Sequence, residues 1–166
     1  ATSSFLSNTH ASTFEHHNIT DFTYIEGILN YVYLNRSSSL AVGGALYAAF
    51  SNVSVIDSKF TDNRAEIGGA LFAHNSSLHV VGTTFSYNQA NLGGVMITSE
   101  SSVNVENSTF SDNTAVLHGG VMITYRDTFS ISGTTFTINS AGGSIGVMMT
   151  YESMFSVTDN TFSDNT

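Results

Sequence analysis

The sequence predicts an all-β protein, a right-handed parallel β-helix of about six rungs, each with 25 to 28 residues and three short strands. Two motifs, Phe-x-x-Asn and a Gly-Gly pair before an apolar run, recur in one register, and no segment carries a convincing helical stripe. A unit of about 25 residues made of strands alone cannot bury its apolar faces, so equivalent strands must stack in successive turns. The usual right-handed crossover between parallel strands favours the right-handed form.

The Phe-x-x-Asn motif sets the repeat length. Its copies begin at Phe60, Phe85, Phe110, Phe136 and Phe162, at separations of 25, 25, 26 and 26 residues. A weaker copy, Phe5–Asn8, opens the chain, and Val32–Asn35 has Val in place of Phe. The 157 residues from Phe5 to Phe162 therefore correspond to six turns of about 26 residues.

The remaining elements of each repeat follow from the glycines. The Gly pairs are Gly43-Gly44, Gly68-Gly69, Gly93-Gly94 and Gly119-Gly120, with a degraded copy at Ile145-Gly146. The apolar run after each pair predicts the first strand, an alternating segment such as Val53–Val55 predicts the second, and Phe-x-x-Asn predicts the third strand and its turn. We predict one domain over 1–166, with irregular rungs over 1–42 and regular rungs over 43–166.

Stacking turns each motif position into a column along the coil. We expect the motif asparagines to form a ladder in which each amide donates to the amide of the next rung, about 4.8 Å away. The members of this asparagine ladder are Asn63, Asn88, Asn113, Asn139 and Asn165. The motif phenylalanines should stack in the core, and the glycines allow sharp corners with positive φ.

Composition excludes several classes of protein. Four Lys and Arg against thirteen Asp and Glu give a formal net charge of −9, which disfavours nucleic acid and anionic membrane surfaces as partners. The absence of Cys excludes disulfides, zinc–thiolate and iron–sulfur clusters and thiol catalysis. No apolar run approaches the roughly 18 residues of a membrane-spanning helix, so we expect no membrane insertion. The polar residues are mostly uncharged hydroxyls and amides, which favours an extracellular or cell-surface location.

The paired motifs resemble a known repeat family. Gly-Gly-Ala-Leu at 43–46 and 68–71, with Phe-Thr-Asp-Asn at 60–63 and Phe-Ser-Asp-Asn at 110–113 and 162–165, is similar to the repeats of the chlamydial polymorphic outer-membrane proteins. The resemblance covers roughly residues 32–166. It implies a right-handed, pectate-lyase-like β-helix that serves as a surface adhesin or a structural stalk. The later Gly pairs depart from the motif because Val-Met-Ile follows them.

We predict no catalytic, cofactor-binding or metal-binding residues, and therefore no enzyme. Polysaccharide lyases of this architecture need an acidic cluster for calcium and a basic residue that takes a proton. The four basic residues, Arg36, Lys59, Arg64 and Arg126, lie in different columns. Asp62, Asp112 and Asp164 share one column, but Tyr87 and Ile138 separate them, so neighbouring carboxylates lie about 9.6 Å apart, as turn residues would. The six histidines occupy no repeated column, and a metal site at His16 and His17 has only their adjacency in its favour.

Five Asn-x-Ser/Thr sequons could carry N-glycans if the chain passes through a eukaryotic secretory pathway. Chance alone would produce about four sequons in this composition, so position matters more than number. The glycosylation candidates are Asn18, Asn52, Asn75 and Asn107. Asn35, the fifth, lies in the ladder column and should stay unmodified if that column is buried.

The first strand is apolar on both faces, although only one face can point into the core. We therefore expect an outward apolar stripe that acts as an interface. The interface candidates are Leu46, Leu71, Met96, Met122 and Met148, with Tyr47, Phe72, Ile97, Ile123 and Met149 as the alternative stripe. In a further alternative, residues 9–31 or a loop of the chain covers the stripe.

These features together predict an extracellular structural β-solenoid subunit that associates with itself, end to end or laterally, into a fibre or surface layer. An adhesin module that binds a host or matrix ligand on the long flat face is the first alternative. A carbohydrate-active enzyme is the second. The expected partners are copies of the same chain and possible glycans, with no cofactor.

Overall fold

The computed structural model describes residues 4–5, as strand backbone, together with residues 41–143 and 145–166. These residues form nineteen short strands and no helix, and every strand pair among them is parallel. Each strand pairs with its equivalents in the preceding and following rungs, so the chain winds as a coil of stacked turns.

The strands fall into four sheets. The first sheet holds β2 (Leu46–Ala49), β5 (Leu71–His74), β9 (Met96–Ser99), β13 (Met122–Tyr125) and β17 (Met148–Tyr151). The second holds β3 (Asn52–Ile56), β6 (Ser77–Val81), β10 (Ser102–Glu106), β14 (Thr128–Ser132) and β18 (Met154–Thr158). The third holds β1 (Ser4–Phe5), β4 (Lys59–Thr61), β7 (Thr84–Ser86), β11 (Thr109–Ser111), β15 (Thr135–Thr137) and β19 (Thr161–Ser163). The fourth holds β8 (Gln89–Leu92), β12 (Thr114–His118) and β16 (Ser140–Ala141).

The fourth sheet corrects the prediction of three strands per rung. After the asparagine turn the chain does not run straight to the glycine pair but extends for several residues, and these pair with the equivalent segment of the next rung. Isolated bridges from Arg64 to Gln89 and from Ile67 to Leu92 continue the same pairing into an earlier rung. Four sides rather than three therefore enclose the core.

The number of rungs also differs from the prediction. Phe5 pairs directly with Phe60, so the weak N-terminal motif occupies the position next to β4 in the third sheet. Phe5 and Phe60 therefore lie in adjacent rungs, where the sequence period predicts a separation of two rungs. The regular part, from Phe60 to Phe162, makes four full turns. Val32–Asn35, predicted as an intervening rung, lies outside the described residues.

A bulge in β12 accommodates the extra residue of the longer repeat that begins at Phe110. Thr114 and Ala115 stay in register with Gln89 and Ala90, whereas the next paired residue, His118, faces Leu92. One more residue is present on the β12 side, so the columns on either side of the bulge remain aligned.

The core of the coil contains the phenylalanine stack and one face of the first sheet. Ring centroids of successive motif phenylalanines lie 4.7 to 5.0 Å apart, from Phe60 through Phe162. Leu71, Met96 and Met122 are fully buried beside this stack, and Leu46 and Met148 pack against it. The five interface candidates therefore point inward, which corrects the assignment of their face as an exposed contact surface.

The opposite face of the first sheet packs in a second apolar cluster. Phe72, Ile97 and Ile123 are each 1% exposed, and they lie against Ile67 and Leu92 from the segment that precedes each glycine pair. The chain itself thus covers this stripe in its central rungs, but with the fourth side of the coil, where the alternative predicted residues 9–31 or a loop. Only Tyr47, in the first regular rung, is half exposed.

Each glycine pair makes the corner between these two clusters, and its two members have different roles. Gly93 has a φ of 60°, the left-handed conformation that most side chains disfavour. Gly94 lies so close to the next rung that a Cβ would overlap the carbonyl oxygen of Gly120 and approach the carbonyl carbon of Thr114 at 2.8 Å. Both positions therefore require glycine, the first for its conformation and the second for space.

Candidate functional site

The asparagine ladder runs along one corner of the coil. Its side-chain amides form hydrogen bonds with one another and with backbone groups. Asn88 Nδ2 donates to Asn113 Oδ1 at 2.9 Å and to the carbonyl oxygen of Phe60 at 3.1 Å. Asn88 Oδ1 in turn accepts hydrogen bonds from the backbone N and from Nδ2 of Asn63. The same arrangement continues through Asn139 to Asn165, and the four members from Asn63 to Asn139 are at most 1% exposed. These amides hold successive rungs together.

Two further polar ladders, which sequence reasoning missed, occupy two other corners. In each, a side-chain oxygen accepts a hydrogen bond from the backbone N of its equivalent in the preceding rung, as Thr83 does from Ser58. Serine and threonine members also donate to the carbonyl two residues earlier in their own rung. One ladder comprises Ser58, Thr83, Ser108, Thr134 and Asn160. The other comprises Ser51, Ser76, Ser101, Asp127 and Ser153.

Asp127 is the one charged member of these corner ladders among the described residues. Its Oδ1 accepts from the backbone N of Ser101 at 2.7 Å, and its Oδ2 accepts from Thr98 Oγ1 at 2.5 Å. The residue is 3% exposed, and burial raises the pKa of its carboxyl to about 6, against the opposing effect of these hydrogen bonds. A carboxyl with this pKa changes its charge near neutral pH.

The carboxylates that share one column lie where turn residues are required. Asp62, Asp112 and Asp164 each have φ near 55°, and Tyr87 and Ile138 share this left-handed conformation between them. Within residues 41–143 and 145–166, His, Asp and Glu form no group of three that could hold a metal ion. Arg126 makes an exposed ion pair with Glu152 at 2.6 Å, and this hydrogen bond lowers the pKa of the Glu152 carboxyl.

The sequons at Asn52, Asn75 and Asn107 are all exposed at corners or strand starts. They are the exposed asparagines of the described part of the chain; the eight other asparagines there are buried or half-buried, and none begins a sequon. Asn18 and Asn35 lie outside the described residues.

Three apolar side chains of the last described rung are exposed at positions that are buried one rung earlier. Phe155 is 62% exposed and Phe162 49%, although their equivalents in the preceding rung, Phe129 and Phe136, are buried. Val157, in the column of the buried Ile131, is also exposed. We call Phe155, Val157 and Phe162 the end face.

The outer face of the second sheet carries rows of polar side chains. Its central row is formed by Ser54, His79, Asn104, Ser130 and Ser156. Asn104 Nδ2 lies 3.3 Å from His79 Nδ1 and donates to Glu106 Oε1 at 2.6 Å. This side-chain network faces outward and crosses two rungs.

A family described as a right-handed β-helix region matches residues 43–166 of the chain. The match confirms the predicted all-β, right-handed parallel solenoid. No curated protein and no solved structure matches the chain. Among the described residues, no helix is long and apolar enough to span a membrane.

Proposed function

Because the chain belongs to the right-handed β-helix family, we propose that it is an extracellular structural solenoid subunit that associates with copies of itself end to end. Its polar corner positions support this role, because three of them hold the rungs together through continuous hydrogen-bonded ladders. The proposal assigns the chain no enzymatic activity, and its partners are further copies of the same coil.

The observation that carries the proposal is the end face. Three core columns reach solvent there, where Phe155, Val157 and Phe162 would be covered by one more rung of the same register. Removing this apolar area from water is favourable at about 25 cal/mol per Å². A second copy can supply that rung, and because the two ends of a coil are unlike, such a head-to-tail joint does not close on itself and produces a filament.

Two charge substitutions in one strand test the proposal. Phe155→Glu places a carboxylate on the end face, whereas Ser156→Glu places the same charge on the outer surface of β18. We expect the wild-type chain and Ser156→Glu to form filaments with increasing concentration under negative stain, and Phe155→Glu to remain monomeric with unchanged circular dichroism. A wild-type chain that stays monomeric at all concentrations, or equal assembly of both variants, would remove the support for this role.

An adhesin is the second candidate, and the outward network of His79, Asn104 and Glu106 favours it. These side chains present donors and acceptors on a flat polar face, where a matrix ligand could dock without entering a cleft. If the chain is monomeric and a His79→Ala, Asn104→Ala variant loses binding to a glycan or matrix array, the adhesin role replaces the structural one.

The finer kinship to the chlamydial polymorphic outer-membrane protein repeats is part of the same proposal. It rests on the Gly-Gly-Ala-Leu motifs at 43–46 and 68–71 and on the Phe-x-x-Asn repeats. Both a stalk and an adhesin are compatible with it, so the kinship does not choose between the two candidates.

A further inference from the structure

We infer that Asn75 is an N-glycosylation site whose first sugar packs against the ring of Phe50, with Asn52 and Asn107 as further acceptors. This inference rests on the extracellular location in the proposed function, but not on self-association. In the attachment step, Nδ2 of Asn75 forms a bond to C1 of an N-acetylglucosamine carried by a diphosphate-linked glycosyl donor, the bond from C1 to the diphosphate breaks, and the diphosphate leaves with one amide proton.

Exposure to solvent distinguishes the sequon asparagines from the ladder asparagines. Ladder asparagines such as Asn88 use every polar atom of their side chains inside the coil. The side chains of Asn52, Asn75 and Asn107 are exposed instead and make no hydrogen bond within the described part of the chain. Every exposed asparagine there begins a sequon, so the sequence permits glycan attachment at the positions where the fold can accommodate it.

Asn75 lies at the corner of the coil between β5 and β6. Its φ is 46°, a left-handed conformation that lets the chain turn sharply between β5 and β6. Phe50 occupies the equivalent corner of the preceding rung, with φ 51°, and its backbone N donates to the carbonyl oxygen of His74 at 3.0 Å. The two side chains therefore leave the coil from neighbouring positions, about 4.8 Å apart along the stack.

The ring of Phe50 is exposed at the equivalent corner of the preceding rung. Phe50 is 58% exposed, in a conformation that bulky side chains rarely adopt, and its ring contacts His74 edge-on with centroids 5.7 Å apart. A large apolar surface at an outer corner gains stability when an apolar face of a ligand covers it. The ring face of an N-acetylglucosamine on Asn75 has that character. Asn107 provides the contrast, because its column neighbours are Gly82 and Gly133, which offer no ring.

Secretion of the chain from a eukaryotic host tests site occupancy. Intact mass and glycopeptide analysis should find a glycan at Asn75 in the wild-type chain, and Ser77→Ala should remove that glycan alone, because it destroys the sequon from an exposed position. Both measurements are made on monomeric protein, so their outcome is independent of filament formation. An unoccupied Asn75 in folded, secreted protein would overturn the inference.

A four-variant cycle tests the packing. With Phe50 present, the glycan at Asn75 should raise the melting temperature by a few degrees over Ser77→Ala, and the protons of its first sugar should shift upfield in NMR spectra through the ring current. In the Phe50→Ala background both effects should disappear. As the matched control, the effect of the glycan at Asn107, removed by Thr109→Ala, should be the same with and without Phe50. Equal effects of the Asn75 glycan in both backgrounds would overturn the contact with Phe50.

Discussion

Asn113 Nδ2 donates to Asn139 Oδ1 at 2.9 Å and to the carbonyl oxygen of Phe85 at 3.0 Å, so one amide group connects three successive rungs. Its own Oδ1 accepts two hydrogen bonds from Asn88. Every hydrogen-bonding site of this buried side chain that the structure reveals is directed along the coil, which is why the ladder is a structural device rather than a binding site.

Asn113→Ala should lower the free energy of unfolding by about 1–3 kcal/mol, because two donors of Asn88 lose their buried acceptor. Asn165→Ala should have a much smaller effect, since the half-buried end of the ladder is accessible to water. Urea titrations of the two variants make the comparison. Equal losses at both positions would contradict a cooperative ladder.

Asp127→Asn should stabilise the protein at neutral pH. The folded-state pKa of Asp127, about 6, lies above the unfolded value near 3.9, so its contribution to stability is fully present below pH 4 and is lost as the pH rises through 6. Removing the charge should raise the free energy of unfolding at pH 8 by about 2–3 kcal/mol, since each pKa unit corresponds to about 1.4 kcal/mol. The stability difference between variant and wild type should therefore grow from pH 4 to pH 7. A constant difference over that range would show that the carboxyl does not titrate there.

Ile138→Gly should also stabilise the fold. Ile138 is a β-branched residue with a φ of 54°, and its side chain is 56% exposed, so it gains little packing for an unfavourable backbone conformation. Relief of that conformation should raise the free energy of unfolding by about 1 kcal/mol. Asp112→Gly, in the same column, is the matched control and should change stability much less, because Asp tolerates this conformation. Thermal melts of the two variants make the comparison. An equal gain in melting temperature for Asp112→Gly would contradict a cost of the backbone conformation at Ile138.

Gly94→Ala should be severely destabilising, by about 3 kcal/mol or more, because its Cβ would overlap backbone of the next rung that cannot move independently. Gly82→Asn should be tolerated, with a loss of about 1 kcal/mol or less. Its Cβ would meet only the flexible carboxylate of Asp57 at 2.5 Å, and Asn107 already occupies the same corner column. Soluble yield and chemical denaturation should distinguish Gly94→Ala from Gly82→Asn. Similar stability of the two variants would show that the rungs can move apart at the glycine pair.

The repeat made most of the fold predictable, because residues such as Phe85 and Asn88 recur with the period of the coil and therefore stack. The inward face of the first strand could not be assigned, since Met96 and Ile97 are both apolar and both buried. The missed signal was Leu92 directly before a glycine pair: it extends the fourth side of the coil and covers Ile97.

The corner ladders escaped prediction for a different reason. Serine and threonine are so common in this sequence that the periodic recurrence of Thr83 and Ser108 does not stand out from their neighbours. Their role depends on the left-handed residue before each of them, such as Gly82 or Asn107, and that conformation becomes evident only from the backbone. The regular period could not predict the direct pairing of Phe5 with Phe60 either, because these residues are about two repeat lengths apart in the sequence.

Hydrogen exchange at the last rung tests end-to-end association most directly. At the corners, the backbone N of Arg126, Gly133 and Ile138 donates to carbonyls of the following rung, whereas the equivalent amides of Glu152, Asp159 and Asp164 donate to none within the described part of the chain. In a concentration series analysed by mass spectrometry, the amides of Glu152, Asp159 and Asp164, within peptides covering 152–164, should exchange rapidly in the monomer and become protected at least tenfold in the filament. Peptides covering 100–112 should be unchanged. Filaments in which 152–164 still exchange at the monomer rate would contradict a joint at the end face.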